Sequence, residues 1–263
     1  MMSGGYDRAI VVVPSLGRRD LVEQLTRSMA GTITGLRVLV AQDWAKQDMT
    51  WAKRAGWAVM PQAGPLSFAR AVNMGVAQGA QIAKANGFDW RWVLLLNNDL
   101  ILRPGFWGGA QFMMQHGYEI AGGKLLYPNG TIQHCGKWFT MDFYPFHALR
   151  WQGADEPHTM EPRPYPAVTF ACALIKREVW EGLEGLDEQF VNGYEDDDFC
   201  LRARECGACI GVHPDMAAIH LESQTTGQDN DNKEAQWRRF RAKWVETGRI
   251  SWALGMHMGW RSL

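Results

Sequence analysis

Four consecutive carboxylates, Glu195, Asp196, Asp197 and Asp198, stand directly in front of the apolar, helix-forming run that begins at Phe199. Adjacent negative charges repel, and a helix N-terminus softens that cost through its unpaired N–H groups and the positive end of its dipole. A capping motif needs only one or two acids, at the cap and three residues later. The surplus points to a proton acceptor, a cation ligand or both, with an over-acidic cap as the purely structural alternative. A second group lies at Asn97-Asn98-Asp99, where polar residues begin abruptly after the apolar run Val93–Leu96. Asn97 and Asp99 are two apart, so in extended backbone their side chains leave on one side. Such an oxygen pair suits a hydroxylated group and a hard divalent ion; an Asn-rich turn closing a strand is the bland alternative. The third candidate is His220, which closes the stretch His213-Pro214-Asp215-Met216-Ala217-Ala218-Ile219.

These residues need elements to bring them together. The chain alternates apolar strand-like runs with helical ones, the pattern of a mostly parallel sheet flanked by helices. Strands are expected near 9–14, 36–41, 57–60 and 92–97, and helices near 19–30, 67–85 and 104–116. After Gly117 short strands and turns take over. Residues 138–166 carry Pro145, Pro157, Pro162, Pro164 and Pro166, a poor helix and a credible flap over a site. A strand near 168–175, a helix over 195–206 and a strand near 209–213 follow. In open α/β sheets ligands bind beyond the carboxyl ends of the strands, where the run 93–96 ends.

The order of motifs resembles an inverting family 2 glycosyltransferase of the GT-A fold, of the rhamnosyl-, galactosyl- or N-acetylhexosaminyl-transferase kind. Ile10–Ser15 resembles the opening strand and nucleotide loop, and Leu39–Asp43 the second strand ending in the acid that meets the base. Phe68-Ala69-Arg70-Ala71-Val72-Asn73-Met74-Gly75 is similar to the family's aromatic–Ala–Arg–x–x–Asn–x–Gly helix. Asn97-Asn98-Asp99 stands at the DxD site, Asn129 to His134 resembles Asp/Asn-Gly-Thr-Ile-Gln-His, and Leu183 to Phe190 resembles Gly-Gly-Phe-Asp-Glu-x-Phe with Glu184 and Leu186 as departures. Glu195-Asp196 matches the catalytic acid pair and His220 the late metal ligand.

The resemblance implies a Rossmann-like nucleotide-binding half (about 9–117) and an acceptor-binding, catalytic half (about 118–230) within one domain over 1–250, followed by an amphipathic helical tail over 231–263. It also implies a hexosyltransferase-type enzyme that moves a sugar from a nucleotide-diphosphate sugar to an acceptor hydroxyl with inversion. In that reading Ser15 and Asp43 lie at the base, Arg18 and Arg70 reach nucleotide or diphosphate, and Asn97 bonds the ribose within the Asn97-Asn98-Asp99 turn. Asp99 and His220 hold Mn²⁺ or Mg²⁺, Asp196 acts as base, and Glu195 orients the acceptor. Asn97 departs from the DxD pattern by bringing no charge. The acceptor is expected to be a glycan or glycolipid, with nucleic acid or protein as alternatives. A nucleotide-sugar binder without transfer activity is the competing reading; a nucleotidyltransferase is disfavoured because no glycine-rich phosphate loop follows the first strand.

Composition fits a single catalytic domain. Of 263 residues 46% are hydrophobic and 21% charged, and the net charge of −1 gives no global pull toward nucleic acid or anionic membrane. No signal-peptide pattern opens the chain and no run is long enough to span a bilayer, so a cytoplasmic location is expected. Cys206 and Cys209 form a CxxC with His213 as the nearest further ligand; with Cys200 close by, buried reduced thiols are expected rather than zinc. Among 13 tryptophans, Trp138 and Trp151 lie in the flap, where indole faces could grip an acceptor sugar or simply pack. In the tail Trp237, Phe240, Trp244 and Val245 form an apolar stripe beside basic residues, read as docking on the catalytic domain, with peripheral contact to an anionic membrane as the alternative.

Overall fold

The computed structural model describes residues 8–33, 35–221 and 230–255. Its frame is one mixed sheet. β1 (Ala9–Leu16), β2 (Leu36–Gln42), β3 (Ala58–Gln62) and β4 (Trp92–Leu96) run parallel, with β1 between β4 and β2. The apolar runs that predict these strands are buried on both faces. Ile10 and Val12 pack into one core layer and Ala9, Val11 and Val13 into the other, and Val93/Leu95 and Leu94/Leu96 divide in the same way, as a two-residue period demands.

Helices α1 (Arg19–Met29), α2 (Lys46–Arg54), α3 (Phe68–Ala85) and α4 (Phe106–Gln115) follow β1, β2, β3 and β5 (Leu100–Leu102) in turn. The sequence gives no hint of α2. It buries only Ala52, so there is no apolar stripe to detect. In α3, Gly75 lets the helix seat directly on the sheet: a Cβ there would lie 2.5 Å from Val12 Cγ1. The first turn of α3, with Arg70, thereby stands just beyond the end of β3.

The second half completes the sheet in the order β10-β12-β6-β11-β4. β6 (Ile120–Leu126) and β11 (Cys172–Lys176) are joined by the residues of the flap, and β11 runs antiparallel to both β4 and β6. The flap is more ordered than expected. β7 (Ile132–His134) precedes it, the hairpin of β8 (Lys137–Phe139) and β9 (Pro145–His147) opens it, and a 3₁₀ turn at Pro157–Thr159 and β10 (Arg163–Pro164) follow. Lys124 Nζ, on β6, donates to Thr159 Oγ1 at 2.8 Å and so ties the flap to the sheet. α5 (Arg177–Gly182) and α6 (Glu195–Glu205) come next. β12 (Ile210–His220) is a single long strand, not the short one expected near 209–213. It continues through Pro214 because a bulge between His213 and Ala217 takes the proline out of the ladder.

The end of the chain docks. Across α7 (Asn230–Phe240), a π turn at Arg241–Val245 and α8 (Arg249–Ala253), the buried Phe240, Trp244, Ile250 and Ala253 pack with Phe190 and Leu201. The apolar stripe of the tail is thus used inside the molecule. No described helix is long and apolar enough to cross a membrane.

Candidate active site

The three groups of chemically suggestive residues meet at the carboxyl ends of β1, β4 and β12. The strand order turns back at β1, which leaves a crevice between the ends of β1 and β4, the position where α/β sheets bind ligands. Asn98 and Ser15 form its floor: Asn98 Nδ2 donates to Ser15 Oγ at 2.9 Å and both are buried. Antiparallel pairing of His220 with Leu100, and Leu221 N–H donating to the Asp99 carbonyl, bring the end of β12 against the Asn97–Asp99 turn.

There Asp99 Oδ1 lies 3.1 Å from His220 Nε2. His220 Nδ1 donates to Gln133 Oε1 at 2.6 Å, so in the neutral ring Nε2 turns its lone pair toward the carboxylate. Asn97 Nδ2 is 3.4 Å from the same nitrogen. Asp99 Oδ1 is buried and has no hydrogen-bond donor. Two acceptors facing each other in a buried site fit a cation between them. Neighbouring ligands held at about 2.1 Å around an octahedral ion are themselves about 3 Å apart, which matches this pair. Gln133 does what a hydrogen-bond partner behind a ligating histidine does: it fixes tautomer and ring orientation. Among the described residues no group of three or more His, Cys, Asp or Glu side chains gathers around a common point. The protein therefore offers two strong ligands here, with Asn97 beside them.

The four carboxylates divide by direction. Asp198 is fully buried and points into the packed tail: Trp244 Nε1 donates to Oδ1 at 2.9 Å, Lys243 Nζ lies 2.7 Å from Oδ1, and Arg202 Nε donates to Oδ2 at 2.8 Å. Asp196 and Asp197 turn instead to Lys137 on β8, whose buried Nζ lies 2.8 Å from Asp196 Oδ2 and 3.0 Å from each oxygen of Asp197. Burial alone would raise the Asp196 carboxyl, but the Lys137 ammonium overcomes it and holds Asp196 below the usual carboxylate range. Burial, with the charge of Asp196 alongside, drives Glu195 up to about 7. Burial likewise drives Asp197 up to about 8 despite Lys137. The segment before β11 ties the two halves of the site together. Phe170 N–H lies 3.4 Å from Asp196 Oδ2, and the next carbonyl, Ala171, accepts from Asn97 N–H at 2.8 Å.

Other expected residues sit around this centre. Asp43 is exposed beyond β2, with Oδ1 accepting from Gly64 N–H. Arg70 is exposed. Arg18 pairs with Asp20 at 2.8 Å and feels the charge of Asp99. Trp151 is 62% exposed and stacks on Tyr127 with ring centres 4.4 Å apart. Trp138 is half-buried and packs edge-on against Tyr165. Cys135, Cys172 and Cys200 are buried free thiols, but Cys206 and Cys209 are exposed. Those two flank the turn at Gly207 between α6 and β12, which lies at the surface, so the expectation of buried thiols holds for Cys200 alone in that cluster. A cleft of about 600 Å³ lined by Trp90, Trp92 and Arg177 opens at the amino end of β4, the end of that strand opposite the Asn97–Asp99 turn.

Sequence reasoning missed Lys137 and gave Gln133 no role. The available signal was a lysine inside the otherwise apolar run Cys135–Phe139, since a cation in a buried strand needs an anionic partner.

The fold has counterparts among known proteins. The structure of GalNAc-T7 with UDP, GalNAc and Mn²⁺ superposes with a TM-score of 0.66 at 14% sequence identity, covering 90% of this chain and 48% of that one. The chain is 27% identical over 248 residues to the O-antigen biosynthesis protein RfbC of Myxococcus xanthus, covering 90% of this chain. Its fold is the GT-A fold, and the chain is similar to family 2 glycosyltransferases. Over 189 residues this GT-A chain is also 25% identical to the N-acetylglucosaminyl-diphospho-decaprenol L-rhamnosyltransferase of Mycobacterium tuberculosis, covering 65% of this chain and 61% of that enzyme. It spans 19% of the length of the M. xanthus relative. No protein-family model matches it.

Proposed function

We propose that this chain is a metal-dependent, inverting glycosyltransferase that moves a sugar from a nucleotide-diphosphate donor to a hydroxyl of a glycan or glycolipid. The observation that carries the reading is the facing pair Asp99 Oδ1 and His220 Nε2, 3.1 Å apart at the strand ends and linked through Phe170–Ala171 to the acid cluster. The relatives' names and the Mn²⁺ in the GalNAc-T7 complex support it.

In this reading the donor lies across the ends of β1 and β4. Asp43 meets the base, Asn97 the ribose, and Ser15 and Asn98 shape the floor. Arg70 and Arg18 approach the phosphates with forked cations. Asp99 and His220 hold Mn²⁺ or Mg²⁺, which when bound offsets the charge that builds on the leaving diphosphate. Asp196, ionised, takes the proton from the acceptor hydroxyl. That oxygen bonds to the anomeric carbon as the carbon–diphosphate bond breaks on the opposite face. Glu195, held by Gly193 N–H, orients the acceptor, and the exposed indole of Trp151 offers a stacking face for one of its sugars.

The test uses water as the acceptor. Release of nucleoside diphosphate from UDP-, dTDP- and GDP-sugars is followed with Mn²⁺ present. Wild type is expected to release one of the three. Asp196→Asn should keep donor binding and lose about 10²–10⁴ in rate, the range that general-base help supplies. Turnover in that variant within a few-fold of wild type would remove Asp196 from the reaction.

A further inference from the structure

We propose that Lys137 is a positioning residue for the base, an ammonium on the β8–β9 hairpin that holds the Asp196 carboxylate in one orientation toward the acceptor. This rests on the reading of Asp196 as base given above.

The case begins with acceptor positions. An ionised carboxylate offers about four. On Asp196, Oδ2 faces Lys137 Nζ at 2.8 Å and Phe170 N–H at 3.4 Å, and Oδ1 accepts Asp197 N–H at 2.8 Å. Three donors from three segments (β8, the stretch before β11, and α6 itself) therefore fix the orientation of the carboxylate, and the Asp197 side chain hydrogen-bonds it as well.

The charge count points the same way. Lys137 is the one cation of the described residues hydrogen-bonded to Asp196 and Asp197. The groups facing it are Asp196, Asp197 and Glu195 on α6, His134 on β7 and His147 on β9. His134 Nε2 accepts N–H bonds from Gly136 and Thr169, and burial with the neighbouring His147 keeps it neutral. Burial, with Lys137 nearby, lowers His147 to about 4, so it too is neutral at working pH. With both histidines uncharged, Lys137 is the cation that meets Asp196, while Asp198 is met by Lys243 and Arg202. Lys137 is also shared: both oxygens of Asp197 lie 3.0 Å from the same ammonium. Removing Lys137 should therefore release Asp196 to titrate like a buried acid, whereas replacing the Asp197 carboxyl by an amide should leave the lysine to Asp196.

Lys137 sits on β8, where the flap begins, while Asp196 belongs to α6. The state of the base is thus tied to the position of the hairpin.

The pH profile of donor hydrolysis tests the idea in wild type, Lys137→Met, Lys137→Arg and Asp197→Asn, with thermal melts run alongside. Lys137→Met is expected to move the acid limb up by about one to three pH units, the usual effect of losing an opposite charge. Lys137→Arg should restore the limb to near its wild-type place, and Asp197→Asn should keep it at or below wild type. Lower melting temperatures with an unmoved limb in Lys137→Met would mean a merely structural lysine and would overturn the proposal. Where Lys137→Met does not fold, a limb that rises in Asp197→Asn overturns it equally. Wild type that hydrolyses no donor at any pH overturns the transferase reading itself, and the role of Lys137 with it.

Discussion

Asp198 and Asp99 are both carboxylates sealed from solvent, yet their surroundings are opposite in kind. Asp198 receives Trp244 Nε1, Lys243 and Arg202, so its charge is spent on holding the end of the chain against α6. Asp99 faces a histidine lone pair and leaves a buried oxygen with no donor. A buried charge is tolerated when paired and costly when not. The first carboxylate is therefore architecture. The second is a deficit that the folded chain alone does not cancel, and such deficits mark the places where a ligand completes the structure. Four acids in a row looked in sequence like one functional cluster, but α6 distributes them. Asp196 and Asp197 turn to Lys137, Glu195 to the loop before it, and Asp198 to the tail.

The comparison breaks most easily at its architectural side. Asp198→Ala removes the acceptor of Trp244 Nε1 in the packed tail and one partner each from Lys243, which keeps Asp187, and from Arg202 on α6, which keeps the Leu183 and Gly185 carbonyls; it should cost about 3–5 kcal/mol, read as a lower urea midpoint, and a loss under 1 kcal/mol would mean the tail is only loosely fastened. Glu195 gives the next effect, through pH. Its folded pKa of about 7 lies above its ordinary value, so the native state keeps a proton that the unfolded chain has released. Stability is then highest below the ordinary carboxylate pKa and falls as pH rises toward 7. Glu195→Gln removes that loss and should gain up to about 3 kcal/mol at pH 8, with little gain at pH 4. Equal gains at both pH values would show that burial of Glu195 is not the cause. Gln133→Leu is the smaller, sharper probe. It frees the His220 ring and should weaken Mn²⁺ binding about 10–100-fold while leaving the urea midpoint near wild type; unchanged Mn²⁺ affinity would exclude Gln133 as the group that orients His220.

The sheet was legible because strands buried on both faces advertise themselves as unbroken apolar runs: Val93–Leu96 predicts β4 and Ile10–Val13 predicts β1. Asp99, Asp196 and His220 stood out by type and order, through the resemblance, and the pairing of β12 with β5 that sets His220 against Asp99 could not be read from the sequence. What stayed hidden has a common physical cause. α2 buries one alanine, so no periodicity marks it. Lys137 and Gln133 act across long sequence gaps, from the three-residue strands β7 and β8, too short to show a pattern. Cys206 and Cys209 were expected inside because a cysteine's type favours burial, and only the position of the turn at Gly207 decides otherwise.

The contrast between a satisfied and an unsatisfied carboxylate comes down to one measurement: melting temperatures of wild type and Asp99→Asn, first in EDTA, then with Mn²⁺ and a panel of UDP-, dTDP- and GDP-sugars. In EDTA the variant should be at least as stable as wild type, because the amide donates to His220 Nε2 and removes the facing lone pairs. With Mn²⁺ and the matching donor, wild type should rise in melting temperature and Asp99→Asn should not. A variant that melts well below wild type in EDTA, or that keeps the full Mn²⁺-dependent rise, would contradict the assignment of Asp99 and His220 as the metal and donor site.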